Sequence, residues 1–265
     1  MILLDELTWK ETFQLLGSNL AARLGLNNRQ VVKLVRSGPV VIARLADRDV
    51  AVPSERRWRH YRRGWAARLD RLARQQFGVG EVVFVKPGQT VFDIGANVGE
   101  FSTAMADLGA RVYAIEGDPT VMKCLEHNMA KTAGVHLSQT VIWKTSGEVT
   151  FYSVPKDADS STIAPLATEG FEAMTLPALS LDDLARSLGI ESIDLIKCDA
   201  EGAEPEVIEG GQQILRHTRQ VAFDTGAERQ GQETSDTCET MLKDLGFRVF
   251  HQTRRGRKIT FGIRD

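Results

Sequence analysis

The sequence predicts an α/β fold: a mostly parallel sheet closed by a C-terminal antiparallel hairpin, with a mainly helical region ahead of it. Three observations lead there. From Val79 onward short apolar runs alternate with helix-like stretches, the pattern of strands covered by helices on both faces. Residues 91–102, VFDIGANVGEFS, carry an apolar run into an acid, then a glycine turn, then helix-like sequence. A second apolar run, RVYAIE at residues 111–116, ends on a carboxylate at about the spacing of 20 residues expected of a strand-turn-helix-strand unit that holds a nucleoside.

Residues 1–78 differ in character from residues 79–265, and the two are read as separate units. Residues 8–24 can form a helix with Leu16, Leu20 and Leu24 along one side and Leu15 beside them. Asn28 is a suitable cap for a helix over residues 29–35. Ser37, Gly38 and Pro39 signal a turn, and residues 40–43 are a short apolar run. Residues 56–77 are basic, with Arg56, Arg57, Arg59, Arg62, Arg63, Arg68, Arg71 and Arg74. Trp58, Tyr61, Trp65, Leu69 and Leu72 recur among them at helical spacing. The plain account is a helix laying its aromatic side on the main domain, arginines in water. The functional account is a substrate-facing helix that recognises an anionic or sugar-bearing acceptor, with His60 as an acceptor-side candidate.

In the main domain, residues 81–85 are β-like, Pro87-Gly88 is a turn, and residues 90–94 are the first core strand. A helix over 100–108 stops at Gly109, and residues 111–116 are the second strand. Asp118 and Pro119 open the next helix as cap and first residue. Residues 135–142 read as the third strand. Residues 147–153 alternate around Val149 and Phe151 and suggest a hairpin arm. The polar stretch 156–170, with Asp157, Asp159, Ser160, Ser161 and Thr162, is placed on a loop over the site, with Ser161 as an acceptor-side candidate. A helix over 181–188 follows Ser180. Then come a strand (193–198), a helix (205–215), a strand (220–224) and a helix (237–245) stopped by Gly246. The closing strands, 247–250 and 258–263, flank the basic turn Arg254-Arg255-Gly256-Arg257.

Composition narrows the function classes. The 265 residues carry a formal net charge of −2, which offers no broad attraction to nucleic acid or acidic lipid. No zinc-finger, RNP or helix-turn-helix pattern is present. Cys124, Cys198 and Cys238 are odd in number and far apart, as free thiols in a reducing compartment would be. No apolar stretch approaches the roughly 18 residues of a membrane span, and MILLDELTWK carries acids where a signal peptide needs positive charge. The expectation is a cytoplasmic protein without a nucleic-acid partner or membrane span. A homodimer is the default oligomer.

The glycine loop defines the cofactor. Its pattern is GxNxG, at Gly95, Asn97 and Gly99. A dinucleotide site would want GxGxxG, so that a pyrophosphate can sit on the helix N-terminus. Asn97 restricts that approach, and Asp93 just before the loop disfavours phosphate. A carboxylate there suits the ammonium of a zwitterionic amino-acid moiety instead, directly or through water. Glu116 is placed to accept both ribose hydroxyls. Together these features point to S-adenosylmethionine rather than a nicotinamide. The expected cofactor site is Asp93, Gly95, Asn97, Gly99, Glu116 and Asp118.

Three stretches resemble the FkbM-type methyltransferases, a family of S-adenosylmethionine-dependent enzymes: residues 91–102, VYAIEGDP at 112–119, and IDLIKCDAEGAEPEVIEG at 193–210. The resemblance extends through VAFDTGAER at 221–229 and covers roughly residue 79 to the C-terminus. The stretch 61–77, YRRGWAARLDRLARQQF, is similar to the leader of one branch of that family. The resemblance implies a Rossmann-like class I methyltransferase fold with a seven-stranded sheet. It also implies methyl transfer to a hydroxyl of a small molecule, sugar or glycan. Lys197, Asp199, Glu201 and Glu204 fall in the family's second signature. Two departures stand out. Gly117 replaces a frequent proline, which predicts a looser adenosine-side loop. Asp224 ends the fifth strand where glutamate is common, which predicts altered acceptor geometry.

The segment KCDAEGAE packs ionisable groups at the carboxyl end of a central strand, where open α/β folds put their ligands. Lys197 and Asp199 alternate with Cys198 and share a side of the strand. An alcohol oxygen is a poor nucleophile until its proton is leaving, so one carboxylate is expected as base, Asp199 first and Glu201 second, with contact to the cofactor's amino-acid part as the alternative role for Asp199. Lys197 would hold that carboxylate or stabilise a developing alkoxide. The plain account is a structural Lys197–carboxylate pair with Glu204 capping the next helix. Glu204 and Asp224 are the remaining acceptor-side candidates. Asp199, Glu201, Glu204, Asp224 and Glu228 are oxygen ligands suited to Mg²⁺. No spacing dictates an octahedral site, so a metal is not favoured, and His136, His217 and His251 have no zinc spacing. N-methyl transfer to an amine and a non-catalytic, cofactor-binding role stand as the alternatives.

Overall fold

The computed structural model describes residues 7–153, 162–164 and 171–264. The N-terminal region opens with α1 (Trp9–Arg23), closed by a capping box: the Thr8 hydroxyl accepts from the Glu11 N–H, and the Glu11 carboxylate accepts from the Thr8 N–H. Of the leucines along this helix, Leu15 is buried, while Leu16, Leu20 and Leu24 face solvent. A three-stranded antiparallel sheet follows: β1 (Lys33–Ser37), β2 (Val40–Arg44) and β3 (Asp49–Val52). The helix expected over residues 29–35 does not form. Asn27 and Asn28 adopt left-handed backbone angles and turn the chain rather than cap it. The Asn19 side chain then grips both the N–H and the carbonyl of Val32, at 2.9 and 2.8 Å. That grip holds the chain extended, and Val35 pairs with Ile42.

The basic stretch is not one helix. A 3-10 turn (Glu55–Arg57) leads into α2 (Trp58–Tyr61), Gly64 breaks the run at φ +87°, and α3 (Trp65–Asp70) widens into a π-turn (Arg71–Gln76). Its aromatic side packs chiefly on the N-terminal sheet: Trp58, Tyr61, Trp65 and Leu69 share a core with Leu34, Val41 and Val50. Leu72, Ala73 and Phe77 enter the main core beside Val91, Phe101 and Phe261. Helices thus flank a small sheet that periodicity alone did not reveal.

The main unit runs β4 (Thr90–Ile94), α4 (Glu100–Asp107), β5 (Arg111–Glu116), α5 (Pro119–Met129), β6 (Val135–Gln139), β7 (Val141–Ile142), β8 (Gly147–Ser153), β9 (Glu172–Leu179), α6 (Leu181–Ser187), β10 (Ile193–Cys198), α7 (Glu204–Glu209), β11 (Thr218–Asp224), α8 (Ser235–Asp244), β12 (Arg248–Arg254) and β13 (Arg257–Ile263). Seven strands form one sheet in the order β12-β13-β11-β10-β4-β5-β6. The ladders from β11 through β6 are parallel, and β13 is antiparallel to both its neighbours. This is the expected Rossmann-like architecture with its closing hairpin. Alternate residues serve the two faces: Phe92, Ile94 and Ile196 in one core, Val91, Val112 and Leu195 in the other.

Three local expectations are corrected. Residues 81–85 form turns around an isolated bridge between Val79 and Val83 rather than a strand. The third strand breaks at Thr140, so that β7 joins a separate sheet with β9 and β8. The helix predicted over 205–215 stops at Glu209, where Gly210 and Gly211 pack too closely on Trp143, Leu181 and Leu215 for side chains. No helix among the described residues is long and apolar enough to cross a membrane.

Candidate active site

The carboxyl ends of β4, β5 and β10 lie side by side in the sheet, and a cleft opens over them. Its cavity volume is about 70 Å³, widening to about 640 Å³ when the open mouth is included. Gly95, Asn97, Glu116, Asp199 and Glu201 stand on its wall, so one cleft gathers residues from both sequence signatures.

The floor is the glycine loop. Gly95 sits at φ +70°, and an added Cβ would lie 2.0 Å from the Asp199 carbonyl oxygen, so only glycine fits. Asn97 is left-handed at φ +53°, a conformation asparagine tolerates better than most residues. Its N–H donates to Glu116 at 2.9 Å, and its side-chain oxygen accepts from the Val98 N–H. Gly99, at φ +93°, starts α4, with Leu125 and Met129 against its α-carbon.

Glu116 also accepts from the Asp118 N–H at 2.8 Å. Burial pushes its carboxyl up to about 7, against the two N–H groups, which favour the ionised form. Asp118 caps α5 through the N–H groups of Thr120 and Val121 and accepts the Ser153 hydroxyl at 2.5 Å. It fixes the wall of the cleft rather than lining it.

Asp93 lies behind the loop. It is fully buried, accepts the Ser102 hydroxyl at 2.6 Å and pairs with Lys197 at 3.0 Å. Its carboxylate is thus turned to Ser102 and Lys197 and does not line the cleft. Lys197 faces Asp93 across the β4–β10 ladder and also donates to the carbonyls of Ile94 and Gly95, at 3.1 and 2.7 Å. Burial works against its charge, but Asp93 and then Asp199 outweigh that and hold its pKa above the ordinary value. The lysine is committed to the loop and does not bond Asp199; the structural Lys197–carboxylate pair of the plain account is present, with Asp93 as its carboxylate.

Asp199, Asp224 and Glu228 bring carboxylate oxygens within 4.8 Å of one another, and of the three Asp199 lines the cleft. Arg257 pairs with Asp224 at 3.0 Å and with Glu228. Gln76 donates to Asp224 at 3.3 Å. Burial, then Asp199, raises Asp224 to about 6 and Glu228 to about 9. One oxygen of Asp199, Oδ1, is buried and accepts no hydrogen bond among the described residues. Glu201 is left-handed at φ +50° and lines the cleft. Glu204 does not reach it: fully buried, it accepts from the N–H groups of Ala200 and Gly202 and from the Thr234 hydroxyl. It braces the turn before α7 and does not cap that helix, whose N-cap is Ala203 with no side-chain cap bond, which corrects the plain account. His60 lies apart, in a cavity of arginines. Ser161 lies outside the described residues, but Thr162 of the same polar stretch lines the cleft.

Sequence reasoning missed the apolar wall: Val121, Val141, Ile142 and Phe151, with Thr140 beside them. Gly117 gave the available signal. An added Cβ there would meet Val141 at 2.8 Å and Phe151 at 3.4 Å. The adenosine-side loop is not loose; glycine stands where the wall closes in.

The chain matches the methyltransferase FkbM domain over residues 93–249, more than half its length. It is 28% identical over 150 residues to the 2-O-methyltransferase NoeI of Sinorhizobium fredii, covering 51% of this chain and 62% of that protein. It is 27% identical over 138 residues to the hexuronic acid methyltransferase AglP of Haloferax volcanii, covering 52% and 56%. These matches span less than two thirds of either relative. Aeropyrum pernix fibrillarin, solved with bound S-adenosyl-L-methionine, is 15% identical and aligns over 88% of this chain and 99% of its own, with a TM-score of 0.49. With the glycine loop, Glu116 and the KCDAEGAE turn set around one cleft, the chain belongs to the FkbM methyltransferase family.

Proposed function

We propose that this enzyme transfers a methyl group from S-adenosylmethionine to a hydroxyl oxygen of a small-molecule, sugar or glycan acceptor. The observation that carries the proposal is the Asp199 carboxylate: it stands on the cofactor cleft with one buried oxygen that no described residue engages. A buried acceptor without a donor is costly, and a substrate hydroxyl would supply the donor.

The residues present fit the cofactor. Glu116 keeps lone pairs for the ribose hydroxyls, the glycine loop admits close approach at Gly95, and Val121, Val141 and Phe151 offer an apolar slot for a purine. When bound, S-adenosylmethionine supplies an electrophilic methyl on a sulfonium. The chain's own work is to align and to move a proton. Asp199 orients the acceptor hydroxyl and takes its proton as the oxygen attacks. Asp224 and Glu228 stand beside it, which favours proton uptake by the cluster. Lys197 acts as a positioning residue, holding the loop through Asp93. Arg257 supplies the cation beside the cluster, paired with Asp224 and Glu228, so transfer is expected to persist in EDTA.

The test is calorimetry with S-adenosylmethionine and S-adenosylhomocysteine, followed by a labelled-methyl screen of neutral and acidic sugars. Glu116→Ala should abolish binding. Asp199→Asn should bind normally yet lose about 10²–10⁴ in transfer rate. Absence of binding in the wild type would overturn the cofactor assignment. Equal turnover by Asp199→Asn would remove the base and shift the reading toward amine acceptors.

A further inference from the structure

A second cavity, of about 120 Å³, lies between the basic stretch and the closing hairpin. Arg59, Arg62, Arg63, Arg71 and Arg255 line it, with His60, Gln75 and a single acid, Asp70. Arg59 is neutralised by Glu11 at 3.0 Å. Asp70 is taken up by Arg74 and Gln75, each at 2.6 Å. Arg62, Arg63, Arg71 and Arg255 have no acidic partner among the described residues.

Four unneutralised guanidinium groups around one cavity repel one another. Partial burial first, then Arg255, Arg68, Arg62 and Arg63, pulls Arg71 below its ordinary pKa. The fold nevertheless clamps them together. Arg254 donates to the carbonyls of Gln75 and Arg74, at 3.2 and 2.8 Å, and pairs with Glu81 at 2.6 Å. The hairpin turn is thereby fixed to the π-turn, and Arg255 is held at φ +55° over the cavity. The π-turn also links this cavity to the active site: Gln75 lines it, while the next residue, Gln76, bonds Asp224 of the carboxylate cluster.

We propose that this cavity binds a phosphoryl group of the acceptor, so that the substrate class is a phosphorylated or nucleotide-linked sugar rather than a neutral one. Guanidinium forks match phosphate oxygens with paired, charge-assisted hydrogen bonds. The cavity's arginines gather at one spot, as recognition of a single phosphoryl or diphosphoryl group requires. That arrangement does not suit a polyanion, which would need an extended basic stripe. This inference rests on the acceptor-side reading of Asp199, and its test separates the two because anion binding is read without turnover.

Inorganic pyrophosphate is titrated calorimetrically into the wild-type chain, and into Arg63→Gln and Arg255→Gln, at fixed ionic strength. Both arginines are exposed, so the fold should tolerate the changes, and unchanged S-adenosylhomocysteine affinity verifies it. The expected result is pyrophosphate binding that weakens about tenfold in each variant, as loss of a charge-assisted pair worth roughly 1.5 kcal/mol would give. In the labelled-methyl screen, sugar phosphates should outpace the parent sugars in the wild type, with the advantage lost in the variants through KM. No pyrophosphate binding, or equal heats from acetate at the same ionic strength, would overturn the phosphoryl assignment.

Discussion

Two glycines of the cleft make opposite demands on a substituted side chain. At Gly95 the obstacle is the Asp199 carbonyl, 2.0 Å from an added Cβ, and φ is +70°. Backbone cannot give way there without moving the acceptor-side turn. At Gly117 the nearest atom is a Val141 methyl at 2.8 Å, and the backbone angle is ordinary. Gly95→Ala should therefore abolish S-adenosylhomocysteine binding. Gly117→Ala should weaken it about tenfold, the roughly 1–3 kcal/mol of a small overpacking strain. Isothermal titration of both variants decides it; equal affinities would mean that the cleft does not hold the cofactor at this loop. The sequence pattern found Gly95 because the turn and strand register around it are local. It misjudged Gly117 because the atoms that crowd it, from Val141 and Phe151, arrive from strands much further along the chain.

At the scale of elements, the legible parts were those fixed by nearest neighbours. Asp118 and Pro119 announced α5, and the structure shows the cap with its two N–H donors. The parallel strands β4, β5, β10 and β11 were legible as apolar runs because both faces are covered. What periodicity could not show is written in long-range pairing: the N-terminal sheet depends on Asn19 gripping Val32, and β9 depends on β8 as partner. The same limit applied to Asp93 and Lys197, whose adjacency is a cross-strand register that one strand's sequence does not contain. Asp118 tests how far an element carries the site. It caps α5, accepts the Ser153 hydroxyl and donates its own N–H to Glu116. Asp118→Ala should cost about 1 kcal/mol for the cap, a fall of roughly 2–4 °C in Tm for a chain of this size, together with weaker S-adenosylhomocysteine binding. A lower Tm with unchanged affinity would separate the cap from the cleft and refute the coupling.

For the whole molecule, buried carboxylates set the pH dependence of stability, and they act in opposite directions. Glu100 is held down at about 2: burial opposes its charge, but Arg68, Arg57 and His60 outweigh that. Its contribution is present above the ordinary carboxylate range and is lost as pH falls toward 2. Glu116 and Glu204 are pushed up to about 7, chiefly by burial. Between the ordinary value of 4.5 and about 7, the folded chain keeps protons on these two groups that the unfolded chain releases. Stability must therefore fall as pH rises through that window. Asp224, at about 6, adds to the decline within that window, and Glu228, at about 9, extends it to alkaline pH. The enzyme without ligand should thus be most stable near pH 5, and urea midpoints should drop between pH 5 and pH 8. Glu204 isolates the effect because its own carboxylate does not line the cleft and only braces the turn from behind. Glu204→Gln keeps an oxygen for the N–H groups of Ala200 and Gly202, and its amide can donate to the Thr234 hydroxyl. The substitution should flatten the decline while leaving the pH 5 midpoint nearly unchanged. A variant whose midpoints run parallel to wild type across this range would show that Glu204 is ionised throughout, and that the turn beneath Asp199 is built around a negative charge.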